Sequence, residues 1–332
     1  MPRGSHKAGH KGILCFGQNT RIMATYLVTG GLGFIGSHLI DSLLSAGHTV
    51  RVLDDLSTGR RANVAGTIEL LAGSTTDSSL VARAMNGVSG CFHLAAIASV
   101  ARANEDWQTC SAVNLGGTVT VFDAAARNPG GKVPVVYMSS AAVYGDCDQL
   151  PLCEDAPLRP LNAYGADKLA CELHARVAGI VHGLPTCGLR PFNVFGPRQD
   201  PRSAYSGVIS IFIDRARRGE NLRLLGDGSQ ERDFIFVGDV VRGMIAAMSA
   251  ADVSAPVVNL CSGKATRIGS LAEIIVRLVG RASAIVQAPP RPGDIHRSQG
   301  DPARAHALLG MVVESSLEDG LRHLLAEGYS YP

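Results

Sequence analysis

The chain predicts an α/β fold, a doubly wound parallel sheet with a smaller C-terminal lobe. Three observations predict it. From Thr25 onward, short β-branched runs alternate with longer segments of helical periodicity. The strand-like runs are apolar almost throughout, as strands covered on both faces must be. A glycine triplet, Gly30, Gly33 and Gly36, joins the first of these strands to the first helix, where a tight turn and close helix packing call for residues without side chains.

YLVT forms the first strand and leads through the glycine turn into GSHLIDSLLSAGH, where Leu39, Ile40, Leu43 and Leu44 recur at helical spacing. Gly47 stops that helix, and TVRVLDD follows as a second strand. TIELLAG, GCFHLAA, VPVVYMSS and PTCGLRPFN read as further strands, with long helices over Ala103 to Arg127 and Ala163 to Val181 between them. After Asn193 the texture changes. GPRQDPRSAYSG is rich in turn residues, and a helix over Val208 to Arg218, a short strand in LRLLGDG and the DFIFVGD segment follow. Residues 24–193 plus 233–262 are therefore expected to build the sheet domain, and 194–232 plus 263–332 the smaller lobe. Residues 1–22 are polar and rich in glycine and histidine; PRGSH reads as the scar of a purification tag, and Met23 as a native start.

Composition removes several classes of function. Of 332 residues 46% are hydrophobic, enough for a sizeable core, and the formal net charge is only +2. Lysine and arginine form no long run, so the basic face that displaces phosphate counterions is missing and no nucleic-acid partner is expected. No apolar stretch approaches the ~20 residues that span a bilayer, so no membrane partner is expected either. Eight cysteines without a CxxC pair read as buried reduced thiols of a cytoplasmic protein rather than as disulfides or a metal site.

The glycine turn reads as a pyrophosphate cradle. Its spacing is GxxGxxG, and the amides of Phe34, Ile35 and Gly36 at the start of the following helix would meet the negative charge. A tight strand-to-helix turn alone also favours glycine. Asp54, closing the second strand, tips the balance: a carboxylate there accepts hydrogen bonds from adenosine ribose hydroxyls and repels a 2′-phosphate, which favours NAD over NADP. Arg60 and Arg61 count the other way, since nearby arginines can receive such a phosphate.

A second constellation carries the chemistry. Lys168 is one of only five lysines and stands four residues after Tyr164, beyond a strand that ends in Ser139 and Ser140. Such a pair could be a plain helix-surface contact. A phenol is a poor base at neutral pH, but a neighbouring ammonium favours its phenolate, and a serine hydroxyl can align the alcohol that loses its proton. Ser140 is the expected partner, with Ser139 the alternative.

Together these motifs resemble the extended short-chain dehydrogenases/reductases, in particular the NAD-dependent nucleotide-sugar epimerase/dehydratase branch. The resemblance runs from Ala24 to Gly310 and includes LDDLSTG, HLAA, Asn114, RPFNVFGPRQ, GDGSQERDFIFVGDV and RPGDI. It implies a Rossmann fold with a nucleotide-sugar-binding lobe. It also implies that Ser57, Thr58 and Gly59 flank the adenosine and that Ser74 and Thr75 lie beside the adenine. Leu94, Ala95 and Ala96 would line the nicotinamide side, with Asn114 helping to place the ring and Phe192 near it. Ser99 and Asn193 would meet the substrate, Arg232 and Arg291 would hold its diphosphate, and Asp294 would contact its ribose. For Arg232 the plain alternative is a surface salt bridge.

Dehydratases of this branch place an acidic pair after the active-site hydroxyl. Here Ala141 and Ala142 follow Ser140, so the motif resembles the 4-epimerase version, which inverts C4 of a UDP-sugar through a transient 4-keto intermediate. Ser298 falls where some relatives carry a bulky tyrosine, which implies room for a 2-N-acetyl group and so UDP-GlcNAc/UDP-GalNAc, with UDP-Glc/UDP-Gal as a second pair. The rival readings are a dehydratase, a decarboxylase or a 4-ketosugar reductase of the same branch, and more remotely a non-catalytic NAD sensor. The resemblance further implies a homodimer joined by a four-helix bundle.

Overall fold

The computed structural model describes residues 23–200, 207–290 and 295–327. The first half of the chain contributes strands β1 (Thr25–Thr29), β2 (Thr49–Asp54), β3 (Glu69–Ala72), β4 (Gly90–His93), β5 (Val135–Met138) and β6 (Thr186–Pro191). Between them run helices α1 (Phe34–Ser45), α2 (Ser78–Met85), α3 (Val100–Glu105), α4 (Trp107–Ser111), α5 (Gly117–Ala126) and α6 (Ala163–His182). Then follow β7 (Asn193–Phe195), α7 (Val208–Arg218), β8 (Leu222–Leu225), β9 (Glu231–Phe236), α8 (Val237–Ala250) and β10 (Val257–Leu260). After these come β11 (Ala265–Arg267), α9 (Ile268–Val279), β12 (Ile285–Ala288) and β13 (Arg297–Ser298).

Seven parallel strands form one sheet in the order β10-β6-β5-β4-β1-β2-β3. The chain builds outward from β1 to β3, then crosses back to lay β4 on the other side of β1. That reversal opens a crevice beyond the carboxyl ends of β1 and β4, the place where doubly wound sheets take ligands. Adjacent residues of one strand serve opposite cores, as the period of two requires. Val28, Phe92 and Val136 pack with Leu39, Ile40 and Leu43 of α1 and Val240 and Met244 of α8. Their neighbours Leu27, Cys91 and Val135 pack with Val81 of α2, Val121 and Phe122 of α5 and Ala175 of α6.

Around β9 a smaller sheet assembles. It pairs in parallel with β7 and β13 and antiparallel with β11. Phe195, Phe212, Ile213, Leu222, Phe234 and Leu271 fill a third core beside it.

Three expectations differ: the run PTCGLRPFN splits at Phe192 into β6 and β7, residues 233–236 belong to β9 of the smaller sheet and not to the main one, and one helix is broken. The single helix read over Ala103 to Arg127 is instead three α-helices and a π-turn at Ala112–Gly116. Asp106 leaves helical geometry (φ −129°, ψ 67°), and its carboxylate accepts from Thr109 N–H, ending α3 and capping α4. By contrast α6 is continuous: Asn162 caps its start by accepting from Gly165 N–H, and Gly183, at φ 59°, stops it in the left-handed conformation.

Candidate active site

The glycine turn is shaped by contacts that only missing side chains allow. Gly30 has φ +66°, and a Cβ there would lie 2.7 Å from the Ala95 backbone nitrogen. A Cβ on Gly36 would lie 2.4 Å from the Gly30 carbonyl oxygen, so this glycine brings α1 down onto the turn. Gly33 is the N-cap of α1, which has neither a side-chain cap nor an acidic residue in its first turn. Its leading amides therefore lack an internal anionic partner, the arrangement that suits a phosphate.

Asp54, at the end of β2, is nearly buried and ties two loops together. Its Oδ2 accepts from Leu32 N–H and its Oδ1 from Leu56 N–H, both at 2.9 Å. Each carboxylate oxygen has a second lone pair left to accept a hydroxyl. Burial, outweighing those two hydrogen bonds, pushes the Asp54 carboxyl above the ordinary carboxylate range. Gly59 approaches it closely, since a Cβ there would stand 2.6 Å from Oδ1. The two arginines that could have received a 2′-phosphate have other partners: Arg60 pairs with Asp200 at 3.2 Å, and Arg61 donates to the Val64 and Gly66 carbonyls.

Across the crevice, the segment after β4 hangs on a buried relay that centres on His93. Thr118 spends its hydroxyl proton on the Asn114 carbonyl at 2.6 Å, so His93 Nε2–H must donate to Thr118 Oγ1 at 3.0 Å. The bare Nδ1 then accepts from Thr29 Oγ1 at 2.7 Å, and that oxygen accepts in turn from the Leu94 and Ala95 amides. Burial, reinforced by the Lys168 charge, pulls the His93 imidazole down to about 3, which keeps it neutral. Asn114, in the π-turn, grips the Ile97 backbone through both amide atoms. It thus fixes the Ala96–Ala98 segment, which borders the cavity, without bordering the cavity itself. No sequence signal beyond the histidine of HLAA points to this relay, because its members come from β1, β4, the π-turn and α5.

Tyr164 and Lys168 occupy the first turns of α6. The Lys168 side chain is almost wholly buried, with Nζ donating to the Met138 carbonyl at 2.8 Å and lying 5.8 Å from the centroid of the Tyr164 ring. Of the two serines after β5, Ser139 is buried and donates its hydroxyl to Glu172. Ser140 is half-buried, and its oxygen accepts from Ala142 N–H at 3.1 Å while its proton stays available. Both Ser139 and Tyr164 border the same cavity of about 600 Å³ as the glycine turn; Ser140 lies one residue beyond its rim. That cavity touches every cofactor residue read from the sequence except Asn114 and Phe192.

The substrate-side residues are more scattered. Ser99 borders the cavity and caps α3 by accepting from Arg102 N–H. Phe192 is buried against Val143, Tyr144 and Cys261. Asn193 donates to the Asp233 carbonyl at 2.9 Å, and Arg232 donates to the Glu231 carbonyl and stands opposite Ser298 in the β9–β13 ladder. Arg291 and Asp294 lie outside the described residues.

The model of the NAD dependent epimerase/dehydratase family matches residues 26–261. The chain belongs to that family. A UDP-glucose 4-epimerase from Mycolicibacterium smegmatis is 36% identical over 301 residues, covering 89% of this chain and 95% of its own. The crystal structure of the Thermotoga maritima UDP-glucose 4-epimerase with UDP-glucose superposes with a TM-score of 0.87 at 33% identity, over 91% of this chain and 97% of the other. The UDP-N-acetylglucosamine 4-epimerase from Methanobrevibacter ruminantium, in complex with UDP-N-acetylmuramic acid, gives 0.87 at 32% identity over 92% and 97%. As in the rest of this epimerase/dehydratase family, the cofactor is NAD, and the cradle of glycines, open amides and Asp54 fits it.

Proposed function

We propose that the protein is an NAD-dependent UDP-sugar 4-epimerase acting on UDP-GlcNAc/UDP-GalNAc and also on UDP-Glc/UDP-Gal. The reading rests on one observation above all: Tyr164 and Lys168 open onto the same cavity as the dinucleotide cradle. Tyr164 takes the proton of the sugar 4-hydroxyl, and Ser140 holds that hydroxyl in line. Lys168, fixed through the Met138 carbonyl, brings positive charge to the phenol. NAD, when bound, supplies the hydride acceptor and donor. The 4-keto sugar turns about its link to the diphosphate and presents the opposite face of C4, to which the hydride held by the cofactor would return; Tyr164 gives the proton back to the C4 oxygen, and C4 is inverted. Arg232 and Arg291 would hold the diphosphate, Asn193 would sit near the sugar phosphate, Asp294 would contact the nucleotide ribose, and Ser298 would leave room for the N-acetyl group.

Alanines at 141 and 142 favour epimerisation over dehydration, since neither can move a proton. Incubation with each UDP-sugar followed by product NMR tests the proposal. The expected product is the C4 epimer at unchanged mass; consumption of reduced cofactor or loss of water or CO₂ would replace this reading, and absent turnover of the N-acetylated pair would remove the role given to Ser298.

The second part of the proposal is a homodimer. On α6 the exposed side chains Leu173, Val177, Ile180 and Val181 form a continuous apolar stripe. Beside it lies a groove bounded by Trp107, Leu115, Val119 and His174. A second copy presenting the same face would cover both as a four-helix bundle.

A further inference from the structure

Three turns of α6 are registered on the short segment that carries Ser140. Gly165 abuts the Ala142 carbonyl, where a Cβ would come within 2.7 Å. Lys168 Nζ holds the Met138 carbonyl. Glu172 Oε1 accepts the hydroxyl of Ser139. Glu172 in turn receives Arg190 of β6 in a two-pronged pair, Nε to Oε1 at 2.8 Å and Nη2 to Oε2 at 2.7 Å. The remaining Nη1 donates to the Tyr144 hydroxyl at 2.8 Å and to the Glu154 carbonyl at 3.0 Å. Tyr144 passes its own proton to Asn259 Oδ1 at 2.7 Å.

Ser140 is thus bracketed. The residue before it is bonded to Glu172, and Tyr144, closing the short turn after it, is bonded to Arg190. Both brackets meet in one ion pair, whose partners are 8% and 3% exposed. A buried ion pair is a weak source of net stability, because its desolvation offsets its attraction. What a two-pronged pair with its remaining donor engaged supplies is a fixed geometry.

Resting on the role given to Ser140 above, we propose that Glu172 and Arg190 are positioning residues that set the Ser140 hydroxyl against Tyr164 through the Ser139 and Tyr144 tethers. Neither charged side chain borders the cavity.

Ser139→Ala and Tyr144→Phe each cut one tether and leave the ion pair intact, so they test the proposal without stripping a buried charge. With UDP-sugar as substrate each variant should lose about 10-fold in kcat, since sub-ångström misplacement of an aligning group costs that order, while KM and NAD affinity stay within about 2-fold. A merely structural role would act in any background. In the Ser140→Ala background the proposal therefore expects neither tether variant to lower kcat further. Single variants with wild-type kcat, or losses that multiply with Ser140→Ala, would overturn it. Crystal structures of the two tether variants supply a readout that does not depend on the substrate. Displacement of Ser140 Oγ relative to the Tyr164 hydroxyl supports the proposal, and an unmoved Ser140 overturns it. Failure of the wild-type protein to turn over any UDP-sugar counts against the epimerase reading and leaves the structural comparison to decide this one.

Discussion

Lys168 Nζ lies 5.8 Å from the centre of the Tyr164 ring and is held there by the Met138 carbonyl, so the ammonium is anchored to the sheet and not to the helix that carries it. Tyr164→Phe removes the proton acceptor and should cost ~10²-fold or more in kcat. Lys168→Met should cost a similar factor. Steady-state assays measure both, and ultraviolet spectra of the denatured variants check that NAD is still bound by Tyr164→Phe.

Gly36→Ala should damage the cradle itself. Its Cβ would meet the Gly30 carbonyl oxygen and the Gly31 Cα at 2.7 Å or less, both backbone atoms that cannot rotate away. Overpacking of this kind costs about 1–3 kcal/mol, readable as a lower urea midpoint. NAD titration should show at least a ~10-fold loss of affinity.

Cofactor choice should follow Asp54. The wild-type protein is expected to bind NAD ~10²-fold or more tightly than NADP, because the buried Asp54 carboxylate would face the adenosine ribose and Arg60 and Arg61 have other partners. Parallel titrations with the two dinucleotides measure the ratio, and equal affinities would contradict the assignment.

His93 predicts a pH dependence. Its folded value of about 3 lies below the ordinary 6.5, so the unfolded chain binds the proton more readily. Stability from keeping the ring neutral is complete above pH ~6.5 and is lost as pH falls toward 3, by up to about 1.4 kcal/mol per pH unit. His38, lowered chiefly by burial, acts in the same direction. Urea unfolding at pH 7, 6 and 5 should show the decline, and His93→Gln should reduce its slope.

The stripe on α6 predicts an assembly. Toward its C-terminal end Ile180 is 71% exposed. Light scattering should report a dimer for the wild-type chain and a monomer for Ile180→Glu, since a carboxylate would be desolvated at the interface.

Elements with strong local signals were legible in the sequence. The α6 helix has both a capping asparagine and a stop glycine, and the read and observed helices end within one residue. The glycine cradle was legible because each glycine answers a local backbone demand. The break at Asp106 was not, because a side chain that caps α4 competes with the apolar periodicity running through it. Nor were the His93 relay and the Glu172–Arg190 pair, whose partners meet only after the sheet has formed. What separates Ser139 from Ser140 is likewise tertiary: Glu172 engages the first hydroxyl.

Strand order also has a consequence for biosynthesis. β10 covers the outer edge of β6, accepting and donating along Gly188 to Pro191, yet it is translated only after β7, α7, β8, β9 and α8 have emerged. Until then the nascent polypeptide presents an apolar parallel edge with unpaired amides, the kind of surface that recruits foreign strands. Stalled or truncated products ending before Val257 would carry that edge permanently, and chaperone cover during this interval is what the topology demands of its host.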